Sequence, residues 1–116
     1  MSPQTLPAPS DVPLTTSQLA GLRALLEEQR AFRIDQLTQL HRPEPSGPLS
    51  STDPEILASL VSGARAALRE VLAALWRMEE GSYGRCVDCA TPIPVERLEI
   101  LPQTARCLSC QAGAAR

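Results

Sequence analysis

Residues 53–81 read DPEILASLVSGARAALREVLAALWRMEEG. Apolar side chains recur at Leu57, Val61, Ala64, Leu68, Val71, Leu75 and Met78, alternating steps of four and three. That is a heptad seam, the pattern of a helix that buries one stripe against another helix. Leu60, Leu72 and Trp76 widen the stripe. Thr52 and Glu55 have capping-box spacing, Asp53 is an alternative cap, and Pro54 is harmless in a first helical turn. Gly81 supplies the stop. The pattern predicts a helix over 53–80.

A helix of that length needs a partner, because its apolar face is unstable alone in water. The partner lies upstream. Thr15 and Gln18 form a capping box, and Leu14 and Leu19 fit a hydrophobic staple across the same turn. Leu19, Leu22, Leu25, Leu26, Ile34, Leu37 and Leu40 follow as an imperfect stripe, interrupted by the polar Glu27 to Arg30. Pro43 disfavours helix at the residue before it, so this helix spans about 15–42. Residues 43–52, with three prolines and a glycine, reverse the chain. Two helices of about 40 Å joined by so short a connector predict a mainly α fold, an antiparallel coiled-coil hairpin over 15–80. Residues 1–14 hold four prolines and read as an extended or disordered tail.

The whole chain has 116 residues and three aromatic ones, too few for a large aromatic core or a base-stacking platform. It has no Lys, and eleven Arg against thirteen acidic residues give a net charge of −2. No basic field therefore drives generic phosphate binding. There is no apolar run long enough for a membrane span and no signal-peptide pattern, so a cytoplasmic protein is expected.

Residues 81–116 break from the helical pattern. A segment so short needs a staple in place of a large core. It contains Cys86-Val-Asp-Cys89 and Cys107-Leu-Ser-Cys110, two C-x2-C pairs 17 residues apart that use every cysteine of the chain. Each pair can wrap a knuckle, and two knuckles place four thiolates in a tetrahedron around one structural Zn²⁺. Disulfides suit an exported protein, and a redox C-x2-C needs a βαβ context that is absent here. A rubredoxin-type iron site uses the same thiolates but usually carries more aromatic cover. Four thiolates leave no open position for catalytic water. No nucleophile–base pair or phosphate loop is present, so no enzyme is expected. His41, the one histidine, reads as a solvated residue near a helix C-terminus.

The C-terminal segment resembles the DksA/TraR zinc-finger family. The resemblance rests on Gly81-Ser82-Tyr83-Gly84-Arg85-Cys86-Val87-Asp88-Cys89, Ile93, Arg97-Leu98, Pro102 and Cys107-Leu108-Ser109-Cys110. It implies a bacterial transcription regulator, built as a helical hairpin with the zinc module at its base, that binds RNA polymerase through the secondary channel. The hairpin tip then approaches the catalytic site, and DNA sequence is not read. The family tip, Asp-x-x-Asp-x-Ala, aligns with Asp53-Pro54-Glu55-Ile56-Leu57-Ala58, so Asp53, Glu55 and Ala58 are the candidate tip residues. Arg97 is a candidate polymerase contact, while Arg85 and Arg106 read as surface around the zinc module.

Departures from the family pattern are informative. Ile56 stands where the second tip Asp belongs, and the coil is shorter by about one heptad, or roughly 10 Å of reach. Ala90 stands where a Gly is common, and a knuckle turn there favours a residue tolerant of positive φ. Gln111 and Glu70 occupy positions that are basic in members responsive to the alarmone ppGpp, so a weak or absent response is expected. The alternative function is a zinc-ribbon protein-interaction adaptor with a degenerate tip. Sequence-specific DNA binding is disfavoured by the charge balance and by the lack of a base-reading helix. Trp76 and Tyr83 are expected to pack where the coil meets the zinc module.

Overall fold

The computed structural model describes residues 13–41 and 53–114. The expected tail, apart from Pro13 and Leu14, the tip loop and the Thr52 cap lie outside the described residues. Four helices follow in order: α1 (Thr16–Leu40), α2 (Pro54–Glu80), α3 (Val95–Ile100) and α4 (Leu108–Ala114). Among the described residues there is no strand, only one isolated antiparallel bridge between Arg85 and Pro92.

The helix ends follow from their caps. Thr15 accepts from the Gln18 N–H at 3.0 Å, and the Gln18 side chain accepts from the Thr15 N–H at 2.9 Å. This reciprocal box satisfies two of the donors that a helix start leaves free. At α2 the cap is Asp53, whose carboxylate accepts from the Glu55 N–H at 2.7 Å. Gly81 ends α2 at φ 82°, the left-handed conformation that costs glycine little. His41 closes α1: its Nδ1 lies 2.8 Å from the Leu37 carbonyl, to which a protonated Nδ1 donates.

α1 and α2 run antiparallel. Arg23 near the base of α1 pairs with Glu79 near the end of α2 at 3.0 Å. At the other end His41 Nε2 lies 3.4 Å from an Arg65 nitrogen. Every seam position of α2, from Leu57 to Met78, is at least half-buried, with Ala64, Val71 and Leu75 fully so. Leu60, Leu72 and Trp76 do not join it. Trp76 is 63% exposed, against its expected packing at the coil–module junction. It follows Leu75 by one residue, a rotation of about 100° that carries it off the buried stripe.

α1 differs more. Its covered positions are Leu19, Leu22, Leu26, Gln29, Arg33, Gln36 and Leu40, again in steps of three and four, with Leu37 also partly covered. Leu25 and Ile34, read into the stripe from hydropathy, are exposed. The middle of the seam is therefore polar on the α1 side, and Arg33 donates to the Gln36 side chain at 2.9 Å within it. The apolar core is concentrated at the base of the hairpin. Leu22 and Leu26 of α1, Val71, Ala74 and Leu75 of α2, and Tyr83, Ile93 and Leu98 of the C-terminal segment form one cluster, with Leu14, Leu19 and Met78 packed against it. Coil and C-terminal segment thus share a core.

Candidate metal centre

After Gly81 the chain turns into the first knuckle. Gly84 has φ 91°, and a Cβ on it would meet Leu14 Cδ1 at 3.2 Å, so both backbone conformation and space favour glycine there. The Ile93 N–H donates to the Gly84 carbonyl at 2.8 Å, and the Cys86 N–H donates to the Thr91 carbonyl at 2.9 Å. Between them the turn closes with the Ala90 N–H on the Cys86 carbonyl at 2.9 Å. Ala90 takes φ 63°, a left-handed conformation that a side chain disfavours. The second knuckle leads into α4. The Val87 N–H donates to the Ala105 carbonyl at 2.8 Å, tying the two knuckles together.

This arrangement brings Cys86, Cys89, Cys107 and Cys110 together, with all four Sγ atoms within 4.8 Å of one another. Cys89 and Cys107 are 3.7 Å apart. Four thiolates at tetrahedral zinc, with Zn–S of about 2.3 Å, span edges of about 3.8 Å. The donor set and its spacing therefore fit one zinc ion held by four sulfurs. Cys86 is buried, Cys107 and Cys110 are half-buried, and Cys89 is exposed.

The surroundings favour thiolate. Burial raises the Cys86 thiol, but backbone N–H groups of Cys107, Cys89 and Asp88 outweigh it and hold it at about 6. Cys89 is lowered first by Thr91, whose Oγ1 lies 3.1 Å from its Sγ and donates to the thiolate form. The Cys110 N–H donates to Cys107 Sγ at 3.5 Å. Cys110 itself is pushed up to about 12 by its bonds to the Cys107, Cys86 and Cys89 sulfurs. Four sulfurs this close do not ionise together on their own. A divalent cation at their centre removes that conflict, and its binding releases protons.

The other candidates sit in two places. Asp53, Glu55 and Ala58 are exposed at the distal end of α2, with Ile56 58% exposed beside them. One carboxylate oxygen of Asp53 is used in the cap. Arg97 lies far along the chain from them, in α3. There it lines a groove of about 420 Å³ between α2 and the C-terminal segment, together with Glu70, Arg77, Gln103, Arg106 and Gln111. Arg97 Nε and Gln103 Oε1 are buried there without a hydrogen-bond partner among the described residues. Arg77 donates to the Thr104 carbonyl at 3.3 Å, and burial lowers its pKa. Sequence reading missed Arg77 and Gln103, and only the last-turn position of Arg77 on α2 hinted at the first.

Comparison with known proteins agrees with this geometry. Residues 81–115 match the model of the prokaryotic dksA/traR C4-type zinc finger. An uncharacterized protein of Aquifex aeolicus is 35% identical over 89 residues, 76% of this chain and 61% of that protein. The uncharacterized protein YlyA of Bacillus subtilis is 34% identical over 61 residues, 53% of this chain and 48% of YlyA. The chain thus matches between about half and three fifths of the length of these relatives. The structure of transcription factor DksA2 from Pseudomonas aeruginosa superposes with a TM-score of 0.63 at 24% identity, covering 91% of this chain and 92% of that one. The four-cysteine segment thus matches the dksA/traR C4-type zinc finger, and it is carried on a helical hairpin with the fold of DksA2.

Proposed function

We propose that the protein is a transcription regulator that binds RNA polymerase through the secondary channel, with the hairpin tip directed toward the catalytic site. One observation carries the reading: a dksA/traR-type zinc finger closes the base of an antiparallel hairpin whose other end presents Asp53, Glu55 and Ala58 to solvent. In this reading zinc is structural. It fixes Tyr83, Ile93 and Leu98 against the coil, so the hairpin projects from a rigid base. The partner is a protein surface, Arg97 belongs to the contact, and DNA sequence is not read. No catalytic chemistry is assigned, because four thiolates fill the coordination of the metal. Among the described residues no helix is long and apolar enough to cross a membrane.

Two observations temper the tip. Asp53 spends one oxygen on the α2 cap, and Ile56 presents an apolar side chain where a second carboxylate would strengthen the field at a bound Mg²⁺. They favour, as the second reading, an adaptor that docks through the same surfaces without altering catalysis. The groove beside Arg97 is also poorly disposed toward ppGpp. Glu70 adds negative charge, Gln111 is neutral, and Arg106 is paired with Asp88. A weak or absent response to the alarmone follows.

The test is binding of the zinc-loaded protein to core RNA polymerase of its host, followed by the lifetime of open complexes. Binding with a changed lifetime supports the regulator. Binding with an unchanged lifetime selects the adaptor, and no binding at micromolar concentration rejects both.

A further inference from the structure

Two polar contacts bridge α1 and α2 at opposite ends of the hairpin. Arg23 of α1 reaches Glu79 of α2 at 3.0 Å, and His41 of α1 lies 3.4 Å from Arg65 of α2. Helical periodicity joins these ends. On α2, steps of four and three lead from Arg65 through Arg69, Leu72 and Trp76 to Glu79. On α1, the same steps lead from Arg23 through Glu27, Arg30, Ile34 and Leu37 to His41. The two stripes therefore border one crease between the helices.

The crease exposes apolar surface: Trp76 is 63% exposed, Ile34 45% and Leu72 44%. Single exposed apolar residues need no explanation, but three along one crease do. Its charge is one-sided. Glu27 and Glu79 are engaged by Arg30 and Arg23. Among the described residues neither Arg65 nor Arg69 pairs with a carboxylate. The crease of two antiparallel helices accepts a third helix, the step that turns a hairpin into a bundle. Trp and Arg are also the side chains on which binding energy concentrates at protein interfaces.

We propose that this crease docks an acidic amphipathic helix of the protein partner, with Trp76 as the apolar anchor and Arg65 and Arg69 as the charge contacts. The inference rests on the polymerase reading for the identity of the partner, and it adds the surface used and the chemistry the partner presents there. From Arg65 to Trp76 the stripe is about 16 Å long, or about three turns of helix. The docked segment carries apolar side chains opposite Ile34, Leu72 and Trp76 and carboxylates opposite Arg65 and Arg69. A nucleic-acid strand fits less well. Two arginines neutralise few phosphates, the chain's net charge of −2 lends no supporting field, and Ile34 and Leu72 offer no ring for base stacking.

The experiment measures the affinity of the full-length, zinc-loaded protein for nucleic-acid-free core RNA polymerase of its host, and repeats the titration with polymerase carrying a DNA–RNA scaffold. Trp76→Ala is expected to weaken binding about tenfold or more. Arg69→Glu is expected to weaken it about tenfold, chiefly by slower association, and rising salt should shrink that effect. Phe32→Ala removes a 60% exposed ring two residues from Ile34, on the far side of α1, and should stay within about twofold. All three should keep the wild-type unfolding midpoint, since each side chain is exposed. Trp76→benzoylphenylalanine should cross-link, on illumination, to a helical segment of the polymerase rich in Asp and Glu. Wild-type affinity in both Trp76→Ala and Arg69→Glu would overturn the inference and leave the polymerase reading standing, as would a cross-link to a basic or extended segment. Equal weakening by Phe32→Ala would overturn it too. Weakening seen only with the scaffold would assign the face to nucleic acid and overturn helix docking. Absence of binding by the wild type would remove the polymerase reading and this inference together.

Discussion

The Tyr83 hydroxyl donates to the Pro102 carbonyl at 2.8 Å in a buried position, joining the start of the C-terminal segment to the turn after α3. The Tyr83 ring packs in the core shared with Leu22, Leu26 and Val71 of the coil, and the bond fixes that ring to the rest of the C-terminal segment. Tyr83→Phe keeps the ring and strands the carbonyl. It should destabilise the zinc-loaded protein by about 1–3 kcal/mol in denaturant unfolding. The bond also has a pH signature. Burial pushes the phenol up to about 12, with Arg77 opposing in part. The unfolded phenol ionises near 10, so the folded state holds the proton more tightly. This contribution is complete below pH 10 and is lost as pH rises from 10 to 12. Tyr83→Phe should flatten the stability profile in that window.

Ala90, at φ 63°, occupies a conformation that glycine adopts without strain. Ala90→Gly should stabilise the zinc-loaded protein by about 1 kcal/mol, read as a raised unfolding midpoint. Gly84→Ala should do the reverse by about 1–3 kcal/mol, since φ 91° and Leu14 both oppose a Cβ. A destabilised Ala90→Gly would mean that the first knuckle is not strained.

The polar seam predicts uneven stability along the hairpin. Gln29, Arg33 and Gln36 occupy covered positions of α1, whereas Leu22 and Leu26 are buried among apolar neighbours. Backbone amides of residues 29–40 should exchange hydrogen faster than those of 19–26. Gln29→Leu should slow that exchange and add about 1 kcal/mol of stability. Uniform protection along α1 would contradict the account.

Asp53 combines a structural and a proposed functional role, and two substitutions separate them. Asp53→Ser preserves the cap, because a hydroxyl also accepts from the first-turn N–H, and it removes the charge. Its unfolding midpoint should match the wild type, while any effect on open-complex lifetime should weaken. Asp53→Ala should lose about 1 kcal/mol of stability as well. Ile56→Asp, which supplies the second carboxylate, should strengthen the effect.

Much of this was legible in the sequence because it depends on local spacing. The α2 seam, the Thr15–Gln18 box and the pairing of two C-x2-C motifs are fixed by short intervals and strong chemistry. Ala90 was legible for the same reason, as a side chain at a turn position that favours positive φ. The α1 seam was not, because hydropathy points to Leu25 and Ile34 whereas the register imposed by α2 points to Gln29, Arg33 and Gln36. Continuing the α2 heptad onto α1 from Leu22 would have found it. Trp76 misled for a related reason: a large apolar residue beside a seam looks buried until the helix is turned by one position. The Asp88–Arg106 pair and the burial of Arg97 Nε and Gln103 Oε1 depend on how the two knuckles and α3 fold back, which no local interval encodes.

The central claim is best tested by competition on core RNA polymerase of the host, with zinc-loaded protein titrated against a labelled Gre-type secondary-channel factor. Saturable displacement of that factor is the predicted result. Saturable binding to the polymerase that leaves the factor in place would contradict a secondary-channel docking mode.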